Sequence, residues 1–248
     1  MNNRKNILIA GASSTIGTEI LRLFAPAACS FFLIGRSEKK IIAVKNDLMA
    51  RGAEKIFHLL QDFSQPCSYQ NLINSADDAM GAIDIIILAH GILPDQKNCE
   101  EDYQIFTQSM QVNFLSIAGL SMEAANYFEK QGRGSLIVIS SVAGDRGRQS
   151  NYVYGTAKAA ISTLLQGLRN RCAPKNIHIL TVKPGFVDTA MTANFKKNLL
   201  YANPKKIART IQRAIFQKKD VIYVPFFWSL IMLFVKAIPE KIFKKLKL

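Results

Sequence analysis

The sequence predicts an α/β protein built on one open, parallel, doubly wound sheet with helices on both faces. Two observations carry this expectation. Strand-length apolar runs alternate with helix-length periodic segments, and a glycine-bearing turn follows the first run and opens the first helix. Asn6 to Ala10 is the first candidate strand, followed by a helix over Ile16 to Phe24. Ser30 to Ile34 with Glu38 to Ala50, and Lys55 to Leu60 with Tyr69 to Met80, repeat the pair. Asp84 to Leu88 precedes a long periodic segment, Gln104 to Phe128. Gly134 to Ser140 leads into Asn151 to Arg171, and Asn176 to Val182 and Val221 to Val224 complete the strands. Right-handed crossovers join parallel strands of this kind.

At 248 residues and 49% hydrophobic content, the chain suits one such domain. Met1 to Lys5 runs directly into the first strand without the apolar stretch and cleavage site of a secretory signal, so a cytoplasmic location is expected. Cys29, Cys67, Cys99 and Cys172 have no paired spacing, and His58, His90 and His178 are equally scattered. Neither a disulfide framework nor a protein-bound catalytic metal is expected. From Lys196 onward, thirteen Lys and Arg face only Asp220 and Glu240, which places +11 of the formal +14 in this segment. A basic segment fused to an apolar one points to an anionic membrane surface. Nucleic acid is disfavoured, because the region has no binding motif or aromatic platform.

The chemistry concentrates between Ser141 and Lys158. Gly134 to Ser141 reads as a buried strand that delivers Ser140 and Ser141 to the carboxyl end of the sheet, where open α/β sheets bind ligands. Tyr154 and Lys158 stand four residues apart on one face of the next helix. An ammonium there favours the phenolate and is expected to lower the tyrosine pKa from about 10. Tyr154 is thus a candidate general acid or base. Other helices carry the same pair without such a role, and the surrounding motifs decide. The spacing of Ser141, Tyr154 and Lys158 resembles that of the short-chain dehydrogenase/reductase family, whose Rossmann-type members move a hydride between a nicotinamide and a carbonyl or alcohol carbon.

Further segments carry the same resemblance. Gly11-Ala-Ser-Ser-Thr-Ile-Gly17 is similar to the family's Gly-x-x-x-Gly-x-Gly turn, with Thr15 at the middle glycine position. The turn implies cofactor contacts at Gly11, Ser13, Ser14, Ile16 and Gly17, where free amides at a helix start hold a pyrophosphate. After the second strand, a carboxylate would bind the ribose hydroxyls of NAD, whereas an arginine pairs with the 2′-phosphate of NADP. Arg36 therefore favours NADPH; the alternative is a solvated arginine before a helix capped by Ser37. The resemblance further implies that Asp62 accepts from the adenine amine and that the Phe63 backbone contacts the ring. Leu88-Ala89-His90-Gly91 replaces the family's Asn-Asn-Ala-Gly; Ala89 and Gly91 are expected to line the cofactor, and His90 to be a loop residue beside it. Asn113 matches an asparagine whose amide, or a helix kink beside it, holds a water. Pro184, Gly185, Val187 and Thr189 match a segment near the nicotinamide.

The implied reaction is hydride transfer from C4 of NADPH to a ketone, with Tyr154 protonating the oxygen and Ser141 orienting it. Lys158 would lower the Tyr154 pKa, hold the nicotinamide ribose and, through water at Asn113, replace the proton. Residues 1–220 are expected to form the NADP(H)-binding reductase core and 221–248 the last strand with an apolar, basic tail. Association into a homo-oligomer is expected from the family.

The tail bears on the substrate. Val221 to Val235 is almost wholly apolar, contains Pro225 and is shorter than the ~20 residues that span a bilayer. Lys236 to Leu248 mixes cations with Ile238, Ile242, Phe243 and Leu246. An amphipathic end lying on an anionic membrane is expected, the alternative being that the aromatic residues close the substrate pocket or a subunit interface. The stretch 151–159, the loop 143–148 and the carboxyl-terminal segment 238–246 resemble the decaprenylphosphoryl-2-keto-ribose reductases. That resemblance implies a polyprenylphosphoryl 2-keto-pentose as substrate and a separate partner oxidase that makes it. A soluble ketone or 3-oxoacyl thioester reductase, and a non-enzymatic NADP(H)-binding regulator, are the other readings.

Overall fold

The computed structural model describes residues 4–193, 196 and 198–246. The first three residues and tail positions 247 and 248 lie outside the described residues. The strands β1 (Asn6–Ala10), β2 (Ser30–Gly35), β3 (Lys55–Leu60), β4 (Ile85–Leu88), β5 (Ser135–Ile139), β6 (His178–Pro184) and β7 (Val221–Val224) all pair in parallel. Their order is β3-β2-β1-β4-β5-β6-β7, a doubly wound, Rossmann-type sheet whose direction of winding switches between β1 and β4. The helices are α1 (Thr15–Phe24), α2 (Glu38–Ala50), α3 (Tyr69–Met80), α4 (Gln96–Glu101), α5 (Tyr103–Met110), α6 (Ser116–Gln131), α7 (Tyr152–Cys172), α8 (Pro204–Phe216), α9 (Phe227–Ala237) and α10 (Glu240–Phe243).

Successive strand side chains alternate between two cores because the side-chain period of a strand is two. Ile7 and Ile9 of β1 pack with α1, α2 and α8 on one face, while Leu8 and Ala10 pack with α3, α6 and α7 on the other. Burial on both sides is why these strands read as continuous apolar runs. Each fully buried side chain, such as Phe24 or Phe31, contributes roughly 1.5–3 kcal/mol of transfer free energy.

Two regions depart from the sequence expectation. The periodic segment Gln104 to Phe128 is not one helix: α5 ends at Met110, a π turn occupies Gln111–Leu115, and α6 follows. Long-range polar bonds accompany the irregularity. Asn113 Oδ1 accepts from the Ile92 amide at 2.9 Å, and Ser116 Oγ is 2.9 Å from His90 Nε2. A widened turn of this kind is a common device at functional sites.

The tail is also more ordered than an amphipathic end. α9 packs Trp228 and Met232 against Val142, with Phe186 and Tyr223 alongside. Arg146 fixes its far end through the carbonyls of Val235, Lys236 and Ile238 at 2.9, 3.1 and 2.6 Å. The same guanidinium bonds Glu240 at 2.9 Å and lies 3.8 Å over the Phe243 ring. The opposite face of α9 remains exposed and apolar, at Phe226 (75%), Leu233 (62%) and Phe234 (71%). No helix among the described residues is long and apolar enough to cross a membrane.

Candidate active site

At the winding switch, the carboxyl ends of β1 and β4 approach so closely that side chains are excluded. Gly11 adopts φ +87°, and a Cβ there would lie 2.5 Å from the His90 nitrogen. A Cβ on Gly17 would meet Ser14 Oγ at 2.6 Å, because Ser14 caps α1 by accepting from the Gly17 amide at 3.1 Å. Thr15 is the first residue of α1 and is not among the residues with positive φ, so a side chain is tolerated at the position the family gives to glycine. The first-turn amides of Thr15 and Ile16 have no acceptor within the helix. Ser13 lies in the same turn, facing Gly35. This is a cradle for an anion at a helix start.

Arg36 is exposed at the end of β2, and among the described residues no hydrogen bond or ion pair engages it. Asp62 accepts from the Ser64 amide at 2.9 Å, which holds its pKa below the usual carboxylate range, and the charge of Arg36 adds to the effect. Phe63 is buried and stacks on His90 at 4.2 Å. His90 Nε2 is 2.9 Å from Ser116 Oγ, which donates to the Val112 carbonyl at 2.9 Å, and Nδ1 is buried with no hydrogen-bond partner among the described residues. Desolvation and the nearby Lys158 charge push the His90 pKa down to about 3, which keeps the ring neutral. The Ala89 amide is spent on Ala10 at 2.8 Å.

α7 carries Tyr154 and Lys158. Lys158 is 3% exposed, donates to the Ile139 carbonyl at 3.1 Å, and has its pKa lowered to about 8 by desolvation. Ser140 is not beside the phenol: it is 2% exposed and bonds the Lys158 carbonyl at 3.1 Å and Ser162 Oγ at 2.8 Å, pinning α7 to β5. Ser141 bonds Tyr154, and its Oγ also accepts from the Ala143 amide at 3.1 Å. Gly91 leaves a space flanked by Asn113 Oδ1 and Lys158 Nζ, which would lie 2.9 and 3.7 Å from a Cβ at that position. The buried Asn113 amide donates to Ser109 Oγ at 3.2 Å.

One electrostatic expectation is corrected. The half-buried Tyr154 has its pKa raised to about 12, because desolvation outweighs the lowering by the Ser141 hydrogen bond. The Lys158 ammonium lies 5.6 Å from the ring centroid and is bonded to Ile139, so it does not pair with the phenol oxygen.

At the end of β6, Pro184 pairs with Val224, and the Gly185 amide donates to the Val224 carbonyl at 3.0 Å. Trp228 covers Gly185 so tightly that a Cβ there would lie 1.9 Å from Nε1. The Val187 carbonyl is taken by Thr192 Oγ1 at 2.7 Å, and Thr189 caps the short turn that follows. Trp228, His90 and Ser116 are parts of this region that motif spacing did not single out together. The run of apolar aromatics and the unusual histidine were the available signals.

Residues 5–200 match the family model described as short chain dehydrogenase. The chain belongs to the short-chain dehydrogenase family. It is accordingly an oxidoreductase acting on CH–OH groups with a nicotinamide cofactor. An uncharacterized oxidoreductase of Mycobacterium tuberculosis is 31% identical over 242 residues, 97% of this chain and 96% of its own length. Another, in the mprA 5′ region of Streptomyces coelicolor, is 28% identical over 243 residues, 98% of this chain and 96% of that one. Two solved structures share the fold. An actinorhodin polyketide ketoreductase variant with NADPH has a TM-score of 0.79 and 17% identity, over 90% of this chain and 97% of its own. A short-chain type dehydrogenase/reductase from Mycobacterium ulcerans has a TM-score of 0.79 and 19% identity, over 89% and 88%.

The cradle fits a dinucleotide. Gly11 and Gly17 keep the turn free of side chains, and the amides of Thr15 and Ile16 have no acceptor within α1.

Proposed function

We propose that this short-chain dehydrogenase is an NADPH-dependent reductase of a lipid-borne, phosphorylated ketone, specifically a polyprenylphosphoryl 2-keto-pentose, and that it works at an anionic membrane surface on the cytoplasmic side. The observation that carries this reading is the two-sided character of α9. One face packs Trp228 and Met232 on Val142, the residue after Ser141; the other presents Phe226, Leu230, Leu233 and Phe234 to solvent. Lys236, in the last turn of α9, and Lys241, Lys244 and Lys245, which follow it in the chain, are exposed. Each such lysine adds about 1 kcal/mol near an anionic leaflet, and the apolar side chains add burial in the interface. A carbonyl reaching Ser141 from this side arrives along a surface that suits a lipid. A separate oxidase would supply the 2-keto group.

The chain's own residues divide the chemistry. Gly11, Ser13, Ser14, Ile16 and Gly17 hold the pyrophosphate, and Arg36 the 2′-phosphate. Asp62 and Phe63 bound the adenine, Ala89 and Gly91 the middle of the cofactor, and Pro184, Gly185, Val187 and Thr189 its nicotinamide end. When bound, the reduced nicotinamide supplies the hydride. With a pKa near 12, Tyr154 carries its proton at neutral pH and gives it to the carbonyl oxygen as charge develops there. Ser141 donates to the same oxygen and stabilises that charge. Lys158 stays cationic below about pH 8, holding the ribose and, with Asn113, the route by which Tyr154 is reprotonated.

The test is NADPH oxidation with a polyprenylphosphoryl 2-keto-pentose in detergent, beside a soluble 3-oxoacyl thioester and a Tyr154→Phe control. Tyr154-dependent turnover of the lipid-linked sugar alone is expected. Preference for the thioester overturns the substrate, and NADPH binding without turnover of either ketone favours a regulator.

A further inference from the structure

Arg148, on the loop that follows Ser141, is half-buried against α9, and among the described residues no carboxylate is hydrogen-bonded or ion-paired to it. Its Nη2 donates to Met232 Sδ at 3.7 Å, a weak acceptor. Asp145, the acid of this loop, is committed elsewhere: it accepts from Lys183 Nζ at 2.5 Å and from the Tyr223 hydroxyl at 2.7 Å. Desolvation lowers the Arg148 pKa from its ordinary value against the opposing charge of Asp145, and the guanidinium remains charged.

Arg146, two residues earlier, shows how a structural arginine is satisfied here, with three carbonyls, Glu240 and the Phe243 ring around it. Arg148 has none of these. On the same stripe of α9, Trp228, four residues before Met232, is 4% exposed, and its buried Nε1, which faces Gly185, has no hydrogen-bond partner among the described residues. Both α9 side chains pack on Val142, so the Arg148 fork, bonded only to the weak Met232 acceptor, is brought close to the residue next to Ser141. Partly desolvated charge without an acceptor is costly, and a bound anion removes the cost.

We propose that Arg148 is the subsite for the phosphate of the substrate. Its planar fork meets two phosphate oxygens through parallel N–H···O bonds, which sets the carbonyl toward Ser141 and Tyr154 while the apolar chain leaves along α9. This rests on the lipid-borne ketone reading and names the residue that recognises its anion.

Trp228 is the only tryptophan of the chain, so its fluorescence reports on this region directly. Wild type, Arg148→Gln and Arg148→Lys are titrated with farnesyl phosphate and with farnesol, and NADPH binding serves as the folding control. Wild type is expected to bind farnesyl phosphate at least tenfold more tightly than farnesol. Arg148→Gln is expected to lose that preference and to keep its farnesol and NADPH affinities within twofold. Wild type without the preference, or Arg148→Gln that retains it, overturns the proposal. If Arg148→Gln fails the NADPH control, Arg148→Lys decides: loss of the fork is expected to weaken farnesyl phosphate at least threefold, and an unchanged affinity overturns the assignment. Co-sedimentation with phosphatidylglycerol vesicles separates substrate phosphate from lipid headgroup. Arg148→Gln is expected to sediment like wild type, and a parallel loss of vesicle binding makes Arg148 a headgroup contact and overturns it. No readout needs turnover, so failure of the keto-pentose assay and failure of this subsite are distinguishable.

Discussion

The Lys158 ammonium lies 5.6 Å from the centroid of the Tyr154 ring and donates its hydrogen bond to the Ile139 carbonyl at 3.1 Å. The two groups are neighbours on α7, but the cation faces the ring and is itself desolvated. Burial therefore sets both pKa values, raising Tyr154 to about 12 and lowering Lys158 to about 8. For a lysine the charged form exists below its pKa and for a tyrosine the protonated form does, so both required states coexist below pH 8. Ketone reduction is expected to hold steady from pH 6 to 7.5 and to fall as one proton is lost through about pH 8. The check is the pH profile of kcat/KM; a profile flat to pH 9.5 would remove the Lys158 charge from the mechanism.

Tyr154→Phe deletes the proton donor and leaves the ring. Turnover is expected to fall by about 10²–10⁴-fold, the usual worth of a positioned general acid, with NADPH affinity nearly unchanged. Steady-state oxidation of NADPH and a direct titration separate the two effects.

Arg36 is exposed at the end of β2 with no hydrogen bond or ion pair among the described residues, so it can be exchanged without disturbing the fold. Arg36→Asp is expected to raise the KM for NADPH by about tenfold or more and to improve NADH, since a carboxylate pairs with ribose hydroxyls and repels a 2′-phosphate. Equal use of both cofactors by wild type and variant would count against the NADPH assignment.

Gly185 lies under Trp228 with no room for a methyl group. Gly185→Ala is expected to destabilise the protein by about 1–3 kcal/mol through overpacking, and to shift Trp228 emission as α9 is pushed away. Thermal unfolding and fluorescence report the two consequences; an unchanged Tm would show that α9 yields without cost.

Arg146→Gln removes the clamp on the carbonyls of Val235, Lys236 and Ile238. Hydrogen bonds to charged groups contribute roughly 1.5–3 kcal/mol. Limited trypsin digestion is expected to cut at Lys236 or Lys241 faster than in wild type, with NADPH binding retained. Equal cleavage rates would mean that Trp228 and Met232 alone hold α9.

Much of the architecture was legible in one dimension. A strand buried on both faces must be apolar at every position, and a βα turn at the switch point needs glycine where backbone approaches backbone, so β1, β2, β4 and β5 and the turn at Gly11 announce themselves locally. The spacing of Tyr154 and Lys158 on one helical turn is likewise local, and it places them together however the rest of the chain packs. Their pKa values are not local. They depend on how much water the surrounding elements exclude, and burial reversed the direction expected for Tyr154. The π turn at Gln111–Leu115 accompanies bonds from Asn113 and Ser116 to a loop twenty or more residues away, which periodicity does not register. The same holds for the tail. An apolar run with lysines reads equally well as a membrane helix or a pocket wall, and the sheet order, by bringing Val142, Gly185 and Arg146 to one edge, is what turns one face of α9 inward and leaves the other to solvent.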